Sequence, residues 1–256
     1  MQNNTFFEDS GPKNIIVLEE VSSTNDYLKY LLTKSTPLEP FTAIMAKNQT
    51  AGKGQRGNVW VSEPNQNLTV SILLSPHQWT VQQQFWLTVI TSLAVVDALQ
   101  SVFPADYHIK WPNDIILHGK KLGGILIENA LAGKYIKHSI IGIGINVFQK
   151  NFPDTIHHKV TSLMLENPNL KVDFVDFIVK IQGGLKHYLQ RLESSRNEML
   201  ELYNRRLFLR DTEADFLYEG KRMKGVIRRV EEDGLLQILL EGQLKKVDLK
   251  GIVYIL

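Results

Sequence analysis

The chain has 256 residues, with 29 lysines and arginines against 27 aspartates and glutamates, and a formal net charge of +2. That length holds one sizeable core plus a small second domain, and the near balance of charge argues against a surface built to coat nucleic acid. There is no cysteine, which excludes disulfides, thiolate metal ligands and cysteine nucleophiles. The opening MQNNTFFEDS lacks a basic-then-apolar pattern, and no run of about 18 apolar residues occurs. A cytoplasmic protein without leader or membrane span is expected.

Residues 15–18 (IIVL) read as a β-branched strand. The run Ser22-Ser23-Thr24-Asn25-Asp26 then precedes Tyr27, Leu28, Leu31 and Leu32 at helical spacing, so a serine, threonine or asparagine caps a helix there. Residues 43–47 and 68–74 read as strands flanking AKNQTAGKGQRGNVW (46–60). Gly52, Gly54 and Gly57 recur there at G-x-G-x-x-G spacing, with Lys53 and Arg56 among them. A backbone rich in free N–H groups and carrying cations suits a phosphate ester. It is not a dinucleotide fingerprint. Asn58-Val59-Trp60-Val61-Ser62-Glu63-Pro64 is β-branched, aromatic and closed by proline, so no helix opens to hold a pyrophosphate. About 20 positions on stands His77, with no carboxylate beside it. No glycine is followed by Lys-Ser or Lys-Thr, so a P-loop is excluded too.

From 82 to 103, Phe85, Val89, Leu93, Val96 and Leu99 mark the buried face of a helix. Residues 108–111 are strand-like and stop at Pro112; residues 115–117 and 125–127 flank 118–124 as a hairpin. Residues 139–147 (SIIGIGINV) form an apolar strand carrying Gly142 and Gly144, a placement that marks close approach of a ligand or another backbone. Residues 173–192 and 194–207 read as two helices, the first bent at Gly183-Gly184. After about residue 210 five short strands follow, at 214–218, 223–230, 235–240, 244–248 and 252–256. Turns fall at Glu219-Gly220, Glu232-Asp233-Gly234 and Glu241-Gly242. A small SH3-like barrel is expected over 210–256, after a larger domain over 1–209.

Four segments carry chemistry. They are Ser23-Thr24-Asn25, then AGKGQRGNVW (51–60), then KWPND (110–114) with KLGGIL (121–126), then GIGIN (142–146). Each alone is compatible with a helix cap, a surface loop, an exposed turn or a core strand. Together, in this order, they closely resemble the biotin protein ligase family over roughly residues 13–256, most specifically in KWPND…KLGGIL. The likeness is to the monofunctional form, without an N-terminal DNA-binding domain.

The resemblance implies an α+β fold, with a mixed-sheet catalytic domain of the biotin/lipoate ligase type and the small C-terminal barrel. It also implies a two-step reaction. Biotin and MgATP give biotinoyl-5′-adenylate and pyrophosphate, and the acyl group passes to a lysine of a biotin carboxyl carrier protein. Lys121 would contact the biotin carboxylate and the phosphoryl oxygen, with Arg56 as a second catalytic cation. Ser23, Thr24, Asn25 and Gln49 would bind the ureido head, a neutral group that calls for hydroxyl and amide partners. Gly52, Lys53, Gly54, Gln55 and Gly124 would complete the biotin site. Lys53, Arg56, Trp60, Trp111, Asn113 and Asn146 would face the ATP half, and Asp114 would hold Mg²⁺. One departure stands out. The family loop commonly reads G-R-G-R-x-G-R, whereas here Lys53 keeps the charge but loses the bidentate fork, and Gln55 replaces a cation. Arg56 is expected to compensate.

Rival readings fare less well. A lipoate or octanoate transferase of the same fold uses an arginine- and glycine-rich ligand motif absent here. A DNA-binding module needs a recognition helix or basic stripe, and a pure SH3-type interaction protein leaves the first two-thirds of the chain unexplained. The seven histidines show no metal spacing; His157-His158 reads as a solvated pair. Monomer and homodimer are both compatible, and neither DNA nor a membrane is an expected partner.

Overall fold

The strand Asn67–Leu74 is buried along its whole length, and the larger part of the protein is arranged on its two faces. The computed structural model describes residues 14–34, 37–76, 78–249 and 251–255; the polar opening and His77 lie outside them. Seven strands form one mixed sheet: β1 (Ile15–Val21), β2 (Ala43–Gln49), β3 (Asn67–Leu74), β4 (Tyr107–Lys110), β5 (Asp114–Leu117), β6 (Lys120–Ala132) and β7 (Tyr135–Asn146). Their spatial order is β1-β2-β3-β7-β6-β5-β4. Among these described strands only the β1–β2 pair is parallel.

Alternation along β3 sends Leu68, Val70, Ile72 and Leu74 into the main core. Leu73 points the other way and packs with Leu28, Ile44 and Ile140 under α1 (Thr24–Leu32). The main core lies between the sheet and two helices, α2 (Gln84–Val102) and α4 (Phe174–Arg205). The short helix α3 (Leu163–Glu166) sits between β7 and α4 in the chain. The sequence predicts one apolar face on α2, but the helix is buried nearly all round, Thr91 and Ser92 included. With its preceding turn (Val81–Val102) it is long and apolar enough to cross a bilayer, with an 18-residue stretch of mean hydropathy 1.6, yet 72% of that stretch is buried within the protein. Its hydrophobicity is accounted for by the core.

The two helices predicted over 173–192 and 194–207 run as one, broken at Ser195 (φ −137°, ψ 28°). Gly183-Gly184 does not bend it. A Cβ on Gly184 would lie 2.9 Å from the Cβ of Ala94 on α2, so that glycine lets two helices close on each other. Beyond α4 the chain runs along the outer edge of β4, where Ile109 donates to Arg206 O at 2.7 Å and Phe208 donates to Ile109 O at 2.9 Å. An open strand edge is thereby covered.

The C-terminal strands β8 (Glu213–Tyr218), β9 (Lys221–Val230), β10 (Leu236–Leu240), β11 (Gln243–Val247) and β12 (Ile252–Tyr254) form an antiparallel sheet. The expected turns are present, with positive φ at Glu219-Gly220 (49°, 77°) and Glu241-Gly242 (46°, 79°), as type I′ hairpins require. His118-Gly119 (48°, 77°) makes the same turn between β5 and β6, so residues 120–124, expected within a longer turn, are strand. The expected barrel closure is not found. The order β11-β10-β9-β8-β12 leaves β11 and β12 as separate edges among the described residues, and the sheet is open.

Asn204, fully buried near the end of α4, ties this sheet to that helix. Its Nδ2 donates to Val230 O at 3.0 Å and its Oδ1 accepts from Val230 N at 2.6 Å. Asn204→Ala leaves both backbone groups of Val230 unpaired in the interior. It is expected to lower stability by about 1–3 kcal/mol in urea unfolding.

Candidate active site

On the α1 side of the sheet, β7 is bare where its other face is apolar. Ile141, Ile143 and Ile145 enter the core, while Gly142 and Gly144 face outward. A Cβ on Gly142 would lie 2.5 Å from Asn25 Oδ1, and one on Gly144 would lie 2.5 Å from Cε2 of the Trp60 ring. The two glycines mark close approach, as the sequence predicts; the side chains of Asn25 and Trp60 approach them, and both glycines line the cleft.

The residues that cap α1 form one end of the site. Ser23 is the N-cap, its Oγ accepting from Asp26 N at 3.4 Å, and Ser23, Thr24 and Asn25 are all buried. Gln49, at the end of β2, turns Oε1 toward Thr24, accepting from the backbone N–H at 2.8 Å with the hydroxyl at 3.0 Å. From β3 beneath, Ser71 Oγ lies 2.7 Å from Thr24 Oγ1 and 2.6 Å from Asn25 Oδ1. Asn25 Nδ2 donates to Glu128 Oε2 at 2.7 Å, and Lys29 Nζ donates to Glu128 Oε1 at 2.5 Å.

The glycine loop closes on itself as a small hairpin. Gly54 donates to Asn58 O at 2.7 Å, and Trp60 donates to Gly52 O at 2.9 Å. Gly52 is required by contact, since a Cβ there would collide with Trp60 O. Arg56 stands exposed at the apex in left-handed conformation (φ 59°, ψ 32°). Lys53 reaches back to α1 and pairs with Asp26 Oδ2 at 2.6 Å. That hydrogen bond holds the Lys53 ammonium above its ordinary pKa.

The far wall is cationic. Lys121 Nζ lies 2.7 Å from Asp114 Oδ1, and Lys110 Nζ lies 3.7 Å from Asp114 Oδ2. Lys110 also approaches the Tyr254 ring, 5.2 Å from its centroid. Burial pushes its pKa below the ordinary lysine value, with Asp114 opposing and Lys121 reinforcing the shift. The turn bearing Asp114 is pinned to β6, because Asn113 Nδ2 donates to Ile125 O at 2.7 Å. The backbone of Lys121 is braced by residues 159–161, donating to Lys159 O at 2.8 Å and accepting from Thr161 N at 2.9 Å.

Between these walls lies a cleft of about 320 Å³. It is lined by every predicted site residue except Gly52, which sits behind Trp60, and Asn146. Asn146 is buried off the cleft, donating from Nδ2 to Thr161 O at 3.0 Å. Trp111 lines the cleft while its indole N–H holds Gly234 O of the small sheet at 3.2 Å. Leu249, Val253 and Tyr254 complete the rim. Sequence reasoning assigns no role to Lys110, though it opens KWPND, and misses Ser71 and Glu128. A single hydroxyl in the apolar run VSILL (70–74), and a carboxylate two strand positions beyond Leu126, are the signals that could have found them.

Asp114 does not fit the Mg²⁺ role. Among the described residues it is the single carboxylate lining the cleft, and both its oxygens face ammonium groups. Nor could any group of three or more His, Cys, Asp or Glu among the described residues hold a metal ion.

The family model for biotin/lipoate A/B protein ligases matches residues 17–146, a span containing every predicted site residue. The chain belongs to the biotin/lipoate A/B protein ligase family. Within that family it is 35% identical over 153 residues to the bifunctional ligase/repressor BirA of Bacillus spizizenii, covering 59% of this chain and 46% of that protein. It is 32% identical over 158 residues to the biotin–[acetyl-CoA-carboxylase] ligase of Mycobacterium tuberculosis, covering 60% and 56%. The chain thus spans about half the length of these relatives. The biotin protein ligase of Aquifex aeolicus, solved in complex with biotin and ATP, superposes with a TM-score of 0.78 at 29% identity, covering 94% of this chain and 99% of that one.

The depressed pKa of Lys110 carries a stability signature. Between its folded value and the unfolded 10.5, the unfolded chain binds more protons, so the wild type gains stability as pH rises through that window. In Lys110→Met that gain is absent. Thermal melts from pH 7 upward should show wild type gaining stability relative to the variant toward pH 10.5.

Proposed function

We propose that the protein is a biotin protein ligase, forming biotinoyl-5′-AMP from biotin and ATP and transferring the acyl group to a lysine of a biotin carboxyl carrier protein. One observation carries this reading. The cleft has a neutral hydrogen-bonding end at Ser23, Thr24 and Gln49 and a cationic end at Lys110 and Lys121. A ligand with a neutral polar head and an anionic tail matches both. A lipoyl or octanoyl group offers no hydrogen bond to the spare lone pairs of Thr24 or to the amide NH₂ of Gln49, and would exclude water from both without replacing it.

In the first step the biotin carboxylate attacks the α-phosphorus, the mixed anhydride forms and pyrophosphate leaves. No enzyme nucleophile is needed. The cleft must bring two anions together and stabilise the charge of a pentavalent phosphorus. Lys121 is the group assigned to that role, and its contact with Asp114 keeps its ammonium aimed until an anion takes over. Arg56 and Lys53 belong to the loop over the phosphates, and the loop serves to retain the adenylate. Mg²⁺ enters with ATP rather than on a protein-held site. In the second step the acceptor amine attacks the acyl carbon, AMP leaves and a proton is released. The reading places the reaction in the cytoplasm. It treats residues 210–256 as a small domain that contributes the outer rim.

The test is ATP–pyrophosphate exchange. Exchange should require biotin and not respond to lipoate; exchange with lipoate alone, or with neither, removes the reading. Lys121→Ala should lose about 10²–10³-fold in exchange rate while remaining within about 1 kcal/mol of wild-type stability, because its ion pair is partly exposed. Arg56→Ala should release preformed adenylate about tenfold faster in a filter-retention assay, as expected for loss of one charged contact; an unchanged release rate removes the retention role of Arg56.

A further inference from the structure

Glu128 lies outside the cleft lining, yet it ends the hydrogen-bond chain that shapes the neutral end of the site. We propose that Glu128 is a positioning residue that sets which face of that end accepts and which donates, acting through Asn25, Ser71 and Thr24. The proposal rests on the biotin ligase reading and adds a residue that determines its specificity.

A carboxylate only accepts. One Glu128 oxygen takes Lys29 at 2.5 Å and the other takes Asn25 Nδ2 at 2.7 Å. That bond, with a longer one of 3.5 Å from the same Nδ2 to Leu126 O, fixes the Asn25 amide, so its Oδ1 is the atom 2.6 Å from Ser71 Oγ. Oδ1 can only accept, so the single hydrogen of Ser71 is used there. The Thr24 hydroxyl lies 2.7 Å from Ser71 Oγ and 3.0 Å from Gln49 Oε1. Its own hydrogen goes to one of these two acceptors, and in either case stays inside the network. Thr24 Oγ1 therefore turns lone pairs toward the cleft. Gln49 accepts the backbone N–H of Thr24 through Oε1 at 2.8 Å, so its NH₂ faces away from Thr24. An acceptor beside a donor selects a ligand edge with an N–H beside a C=O, as in a cyclic urea.

In Glu128→Gln the shape stays while the rule is lost. One side of the substituted amide offers hydrogens, and Lys29 can take only its oxygen. The amide NH₂ then faces Asn25, whose own amide reverses. Ser71 then accepts from Asn25 and donates to Thr24, so Ser71 no longer accepts the Thr24 hydrogen, which is left to Gln49 or to the ligand.

The test compares kcat/KM in exchange for biotin and for its two cyclic carbamate analogues, in each of which one ureido N–H is replaced by oxygen. Wild type should reject the carbamate with oxygen opposite Thr24 by about 10²-fold or more. Glu128→Gln should raise KM for biotin about tenfold with kcat nearly unchanged, and should shrink the biotin-to-carbamate ratio about tenfold. A merely structural role would lower both substrates alike. Ser71→Ala interrupts the same chain at a different point and should shrink the ratio in the same direction, which keeps the test available if Glu128→Gln is unstable. Ratios within about twofold of wild type in both variants overturn the proposal. Wild-type protein that exchanges with none of the three overturns the ligase reading itself.

Discussion

The period of two along β7 is the constraint on which the rest depends. One face supplies isoleucines to the core against α2 and α4; the other carries glycine at two successive outward positions. Had those positions held any side chain, Asn25 and Trp60 could not lie where they do, and both the capped end of α1 and the base of the glycine loop would be pushed off the sheet. The strand is therefore a core element and a recessed floor at once, and its glycines trade strand propensity for that recess.

Charge is organised across this floor with the same economy. At the far wall one carboxylate serves two ammonium groups, so the cleft keeps a net cationic wall and an incoming anion meets preformed positive potential. At the near wall the loop lysine is engaged with α1, which leaves Arg56 as the outward-facing cation of that loop. The neutral end between them is assembled from a helix cap, a strand terminus and a hydroxyl rising from β3, three elements distant in sequence. Precision of that kind requires the rigid sheet underneath.

Much of this is legible in the sequence because it is local. Strand runs, the Ser23 cap and the Glu-Gly turns follow from side-chain period and backbone freedom within a few residues. The motif clusters also mark the cleft, apart from Gly52 and Asn146. What stays hidden is what depends on tertiary neighbours. Gly183-Gly184 looks like a bend because the approach of Ala94 on another helix cannot be seen in one segment. Barrel closure is expected because five short strands imply it, but closure depends on whether two edges meet. The bond from the Asn146 amide to Thr161 O joins two segments that no local pattern connects. Glu128 carries no motif at all, and only its contact with Asn25 brings it into the site.

The left-handed backbone at Arg56 has a consequence for any attempt to improve the protein. A non-glycine residue there costs about 1 kcal/mol relative to glycine. Thermostability screening of a saturation library at this codon would therefore enrich glycine or asparagine and discard the cation. Conformational ease and charge are set against each other at a single side chain, so a hardened scaffold and a retentive loop call for separate screens.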